Sequence, residues 1–369
     1  MAKKKKNRLP IILFSVVSGV ILIGLLACYL VISHYYKKLN VTPLDKDYVI
    51  HETTGEFIED LVPTEPEPTR PDTSVDELDE YKQAAMEAAK EHGIDKIETK
   101  DVYNILLVGS DSRTPGDYGR SDTMMLVSIN NKTKKIVVTS FLRDLYVYIP
   151  HKDYWDKINA AYAYGGVNLL FETIEKNFSL EIDQYVMVDF FSFINVIDIL
   201  GGIDVDVQEE ELYWCNQYIH ANNLLLGDDE FSDYLAIADG SYQHLNGKQV
   251  LAYSRFRYVG NADFSRTERQ RKVMNIVFNK LKTVDAGTVL KLLDSFLPEV
   301  TTSIPYEEFI ELLSILPDMF DYEIVSWGLP DEDFKYITVN GQSHIGIDFK
   351  YYIQKLYGLM YTDKTLEDF

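Results

Sequence analysis

After residue 100 the chain has only eight arginines: Arg113, Arg120, Arg143, Arg255, Arg257, Arg266, Arg269 and Arg271. Five of them fall within 17 residues, while lysines are spread throughout. Arg presents a rigid fork of donors that fits phosphate or carboxylate, whereas Lys is the general solvating cation. Arg255 and Arg257, beside Tyr253 and Tyr258 and few acids, read as an anion site. Arg271 reads as solvent-facing or paired with local acids such as Glu268 and Asp263. Around the first three arginines stand Asp111, Asp117, Asp122 and Asp144. Asp111 and Asp122 flank one loop. Two carboxylates among three arginines suit a hard cation bridging to a phosphate. An Asp in such a glycine-containing loop is also a common turn residue.

The surrounding elements are alternating strands and helices. Tyr103–Val108 is an apolar run of strand length. Thr123–Ile129 and Lys135–Phe141 are β-rich runs joined by the turn Asn130–Thr133. Asp183–Val188, Ile203–Val207, Tyr322–Trp327 and Tyr336–Val339 read as further strands. Helical spacing covers Gly166–Phe178, Phe190–Leu200, Asn246–Phe256, Arg266–Leu281, Val289–Leu297, Tyr306–Leu316 and Phe349–Tyr361. This order predicts a layered α/β domain over 101–369, with a central mixed β-sheet flanked by helices. The loop carrying Asp111 and Asp122 then lies at strand ends, where such sheets hold ligands. Residues 208–244 read as an acidic, Tyr-rich, insertion-like loop region.

The N-terminal hundred residues differ in kind. Residues 1–10 form a basic tail with five cations and no acid. Residues 11–32 contain no charge. As a helix they would span roughly 33 Å, enough for a bilayer core of about 30 Å. The expectation is a single retained transmembrane helix, with the basic end cytoplasmic and the rest extracytoplasmic. The apolar run is too long for a cleaved signal peptide. Residues 33–100 read as a stalk: 17 acids against six bases over 41–100, a proline-rich core from Thr64 to Pro71, and one short polar helix over Asp76–His92.

The formal net charge of −22 argues against general nucleic-acid binding, which needs a basic face. Two cysteines, Cys28 and Cys215, exclude a disulfide scaffold. Seven dispersed histidines lack zinc-ligand spacing, and no Gly-x-Ser-x-Gly elbow is present.

The motifs also form an ordered set. Gly109–Arg113, Gly119–Met125 and Ser140–Asp144 resemble the opening blocks of the LytR-CpsA-Psr family. Lys157–Gly166, Asp198–Val205, Leu245–Arg257 and Asp263–Gln270 resemble its later ones, in order over residues 103–280. Leu142 departs from the family's usual Pro before the Arg-Asp pair, which implies a changed strand-end turn and unchanged chemistry.

The resemblance implies a Mg²⁺-dependent (or Mn²⁺-dependent) phosphotransferase of the Gram-positive cell membrane. Such an enzyme moves a glycopolymer from a polyprenyl pyrophosphate to a peptidoglycan hydroxyl. It implies Asp111 and Asp122 as metal ligands. It places Arg113, Arg120, Arg143, Arg255, Arg257, Arg266, Arg269 and Gln270 around the pyrophosphate. Arg143, Asp144, Asp263 and Arg255 are the implied catalytic set. The proton acceptor is left open among Asp263, Asp144 and a metal-bound Asp. Phe171, Phe190, Phe191, Phe193, Ile194, Ile197, Leu200, Val273, Ile276 and Val277 are either lipid-groove lining or plain core. Residues 208–244 are expected to shape the acceptor cleft. A polyprenyl-pyrophosphate pyrophosphatase and a non-catalytic lipid-binding regulator are the alternatives.

Overall fold

The computed structural model describes residues 29–45, 47–50, 70–91, 101–110, 121–151 and 153–369. For Glu91, Ser110, Asp122, Phe190 and Phe191 it describes the backbone alone. The β-branched and apolar runs form strands because alternate side chains can be buried on both faces of a sheet covered by helices. Seven strands make the central sheet: β1 (Asn40–Val41), β2 (Val102–Ser110), β3 (Ser121–Asn130), β4 (Lys135–Phe141), β7 (Gln184–Asp189), β10 (Thr301–Thr302) and β11 (Glu323–Leu329). Their spatial order is β1-β10-β7-β2-β3-β4-β11. β2–β3 and β3–β4 pair antiparallel, while β7–β2 and β4–β11 are parallel, so the sheet is mixed as expected.

Two-stranded sheets stand beside it: β5 (Tyr146–Ile149) with β6 (Tyr154–Lys157), β8 (Ile203–Asp206) with β9 (Tyr242–Leu245), and β12 (Phe334–Val339) with β13 (Gln342–Ile347). One side of the central sheet packs on α2 (Ile158–Phe178) and α9 (Phe349–Tyr361) through Leu106, Leu126, Leu170, Ile174, Ile353 and Leu356. The other side meets α6 (Ala262–Leu281) and α8 (Tyr306–Met319) through Ile105, Met125, Met274 and Leu312. A separate apolar cluster joins α4 (Leu212–Leu226), α5 (Gly247–Arg255) and the β8–β9 pair.

Three expectations change. The short helix of the expected stalk, α1 (Val75–Glu91), is not a free spacer. Tyr81, Ala85 and Ala88 lie on one helical face and are buried in the main core. Tyr81 also donates its hydroxyl to the Tyr146 carbonyl at 2.9 Å. Residues 208–244 are not a loop region, because α4 runs through them. Helix α2 begins at Ile158, earlier than expected, and kinks at Gly165–Gly166, where Gly166 has φ 61°. The expected span 11–32 lies outside the described residues except for 29–32, which are helical. Among the described residues no helix is long and apolar enough to cross a membrane.

Candidate active site

The site sits at one end of the central sheet. β2 and β3 converge there, with Ser110 paired to Ser121, and β4 ends beside them at Phe141. Asp111, Arg113 and Arg120 fall in 111–120, outside the described residues. Asp122 lies in β3, described by its backbone alone. The register pairs Ser110, the residue before Asp111 in sequence, with Ser121, the residue before Asp122.

β4 hands over to Leu142, Arg143 and Asp144. The Leu142 amide donates to the Leu329 carbonyl at 3.0 Å. Proline has no N–H to make that bond, so Leu142 carries the β4–β11 pairing one hydrogen bond past the strand end. Arg143 is buried, and its Nε donates to Asp263 Oδ2 at 2.8 Å. Asp263 stands in the first turn of α6. Three residues on, one helical turn away, Arg266 places Nη2 3.4 Å from Asp263 Oδ1. One buried carboxylate thus sits between two buried guanidinium groups. Asp144 lies 3.8 Å from Arg143 Nε and takes the Lys157 Nζ at 2.6 Å.

These neighbours drive the two carboxylates apart. Burial, then the charge of Asp263, pushes the Asp144 carboxyl above its ordinary value, against the pull of Arg143 and Lys157. Burial would raise Asp263 too, but Arg143 and Arg266 outweigh it and hold that carboxyl well below the usual range. Two acids separated in this way can take different roles, one a fixed anion and the other a proton acceptor.

The remaining arginines divide by their surroundings. Arg255 ends α5, which Gly247 brings so close to α3 (Phe190–Ile199) that a Cβ would strike the Ile194 carbonyl. Arg255 is buried, its Nη1 3.3 Å from Asn222 Oδ1 and its guanidinium 5.5 Å from the Tyr218 ring centroid, both on α4. Gln270 donates to the Ser254 carbonyl at 3.2 Å. Arg269 sits further back: it reaches Glu211 Oε1 at 3.3 Å, donates to the Phe256 carbonyl and stacks 3.8 Å from the Phe256 ring centroid. Those contacts make Arg269 a brace for the α5–α6 turn. Of the two alternatives for Arg271, the local acid fits: the side chain is half-buried, with Nη1 buried near Gly328 of β11, and burial lowers its pKa against the pull of Glu268 and Asp331. Lys157, Glu211 and Asn222 carry no marker in the sequence, apart from Lys157 opening the Lys157–Gly166 motif.

Two cavities flank this cluster. An apolar one of about 280 Å³ runs between the sheet and helices α3, α5 and α6. Leu107, Val186, Phe193, Val273, Met274 and Val277 line it, and Thr123, Asp189, Ser254, Arg255 and Gln270 supply its polar groups. Of the expected groove residues, Phe193, Val273 and Val277 do line it. Phe171, Ile194, Ile197 and Leu200 are buried core, and Ile276 packs against the α4–α5 cluster. The second cavity, about 320 Å³, is polar, with Asp144, Asp263 and Arg257 on its wall. The 208–244 segment lines neither; it supports Arg255 and Arg269 instead. The Asp204-Val205-Asp206 stretch lies on β8, where Asp204 pairs with His244 and Asp206 with Lys272.

The LytR_cpsA_psr family model matches residues 73–355. A polyisoprenyl-teichoic acid–peptidoglycan teichoic acid transferase (TagU) of Bacillus licheniformis is 32% identical over 223 residues, covering 59% of this chain and 65% of that one. TagU of Bacillus subtilis is 31% identical over 248 residues, covering 63% and 73%. The chain spans 65% and 57% of the lengths of the B. licheniformis and Enterococcus faecalis TagU proteins. The solved structure of B. subtilis TagV matches with TM-score 0.56 at 27% identity, over 72% of this chain and 99% of that one. A TagT (YwtF) structure with bound octaprenyl pyrophosphate lipid matches in fold, with TM-score 0.52 at 23% identity, over 71% and 91%.

Proposed function

The chain belongs to the LytR-CpsA-Psr family, and on that premise we propose that it is a phosphotransferase joining a polyprenyl-pyrophosphate-linked glycopolymer to peptidoglycan. The observation that carries this reading is the apolar cavity closing on Arg255 and Gln270 beside the Arg143–Asp263–Arg266 cluster. A polyprenyl tail fits the apolar part and its pyrophosphate the cationic end. The TagU relatives support the same substrate pairing.

The transfer needs alignment and charge neutralisation more than covalent help from the protein. An acceptor hydroxyl oxygen attacks the phosphorus next to the glycopolymer. The bond from that phosphorus to the polyprenyl phosphate oxygen breaks, and polyprenyl monophosphate leaves. Arg143, Arg255 and Arg266 stabilise the charge that gathers on the phosphoryl oxygens and the leaving group. Asp144 takes the hydroxyl proton, since its raised affinity for protons suits a base and Asp263 is fixed between two guanidinium groups. Arg257 lies on the wall of the second cavity, and Arg113 and Arg120, which belong to the same motif set, are proposed as further pyrophosphate ligands.

Asp111 and Asp122 are the proposed ligands of Mg²⁺ or Mn²⁺. They suit a hard cation because both are carboxylates, each following in sequence one member of the paired Ser110 and Ser121. When bound, such an ion supplies Lewis-acid neutralisation of the pyrophosphate. Residues 11–32 are proposed to anchor the protein in the cell membrane, with the site on the extracytoplasmic side.

The experiment supplies the full-length protein in detergent with a polyprenyl-pyrophosphate oligosaccharide, Mg²⁺ and peptidoglycan fragments. The expected product is a phosphodiester conjugate. Phosphorylated saccharide alone, with no conjugate, would instead mark a pyrophosphatase.

A further inference from the structure

The polar cavity has a feature that the transfer reaction as described does not use. Its outer wall is completed by Arg70, from the segment just upstream of α1. That segment is fixed on the β12–β13 hairpin. Thr73 N donates to the Thr338 carbonyl at 2.8 Å, and Thr338 N donates to Thr73 Oγ1 at 2.9 Å. Asp72 Oδ1 accepts the Gly341 amide at 2.8 Å. Arg70 is thereby held with its guanidinium 3.7 Å from the Tyr336 ring centroid and Nη1 3.3 Å from Ser343 Oγ. No carboxylate lies within ion-pair distance of it among the described residues. Tyr336, Tyr258 and Phe264 add ring surface to the same cavity, and Asp144 and Asp263 lie at its inner end.

A guanidinium held over a tyrosine ring leaves N–H groups available for an anion. Aromatic walls suit the C–H faces of sugar rings, and Asp144 stands where a sugar hydroxyl would lose its proton. We propose that this cavity binds the acceptor glycan, with Arg70 holding a carboxylate of its peptide and Tyr336 and its neighbours holding the sugar. The proposal rests on the transferase reading for the acceptor's identity. It makes the 70–73 segment part of the site rather than of a stalk.

Direct binding tests it without any transfer step. Calorimetry on the full-length protein would compare a muramyl-peptide disaccharide carrying free carboxylates, the same fragment amidated, and a polyol-phosphate oligomer. The wild type should prefer the carboxylate form about tenfold over the amide, the size of one charge-assisted hydrogen bond. Arg70→Gln should abolish that preference, and Tyr336→Leu should weaken both glycan forms alike, with unfolding temperatures checked for each variant. An undiminished preference in Arg70→Gln overturns the proposal. So does wild-type indifference to the carboxylate, or tighter Arg70-dependent binding of the polyol phosphate. If the fragment binds as expected yet no donor yields a conjugate, the transferase reading falls while the glycan site stands.

Discussion

Asp144 and Asp263 lie in one cluster but should fail differently when neutralised. Asp263→Asn leaves the buried Arg143 and Arg266 without the carboxylate between them, at 2.8 and 3.4 Å. Breaking a buried pair from one side costs about 3–5 kcal/mol. For a domain of this size that lowers Tm by on the order of 10 °C. The carboxyl is held below its ordinary value, so its stabilisation is present at neutral pH and is lost only as pH falls through the lowered value. Asp144→Asn removes a carboxylate that burial already disfavours, and Lys157, 22% exposed, can turn to water. Its stability change should stay within about 1 kcal/mol, the range of a partly solvated ion pair. Transfer, however, should fall by about 10²–10⁴ with loss of the base. The wild-type rate should rise with pH through a limb lying above the ordinary carboxylate range, and Asp144→Asn should lack that limb. Thermal unfolding and initial transfer rates from pH 4 to 9 read both effects. An Asp144→Asn protein that unfolds as early as Asp263→Asn, or keeps its rate within tenfold, would refute the assignment.

Four further outcomes follow from the same geometry. Arg255→Ala should cut transfer by about 10²–10³, as for loss of one preorganised donor to developing charge, measured at saturating donor. Val273→Trp should fill the apolar cavity and abolish retention of a radiolabelled polyprenyl phosphate, while circular dichroism stays unchanged. Chelation by EDTA should stop conjugate formation, and Mg²⁺ or Mn²⁺ should restore it. Glu175 is pushed up to about 7, by burial first and then by Glu181, Glu172 and Asp183, so its contribution to stability is present at acid pH and is lost as pH rises through 7; Glu175→Gln should raise Tm at pH 8 and leave it nearly unchanged at pH 5.

Much of the framework was legible because strand and helix periods separate cleanly where one face is apolar. Lys135–Phe141 and Phe349–Tyr361 match their strand and helix end to end. The docking of α1 was hidden because its buried face is only Tyr81, Ala85 and Ala88 among acids; their spacing of four and three was the available signal. The β12–β13 hairpin had a clear marker that went unused: Asn340-Gly341, whose φ values of 52° and 76° fit a type I′ turn. Helix α4 buries Cys215, Asn222 and Asn223, and that polar face masks its period. Arginine clustering marked Arg143 and Arg266, which the structure brings together on Asp263. It did not separate Arg269, a brace, from Arg255, a cavity residue, because that difference rests on Glu211 and Asn222, far away in sequence. Arg70 was missed for the same reason: a cation in a proline-rich stretch reads as solvated until the hairpin it rests on is known.

The central claim is that the paired cavities serve transfer from a lipid pyrophosphate to a glycan. The most direct measurement is mass spectrometry of the full-length protein incubated with polyprenyl-pyrophosphate oligosaccharide, Mg²⁺ and peptidoglycan fragments, with Arg255→Ala and Asp144→Asn alongside. The account predicts a phosphodiester-linked conjugate with the wild type and its near-complete loss in both variants. Lipid retained without turnover, with a donor shown to be competent in a known transferase, would contradict it.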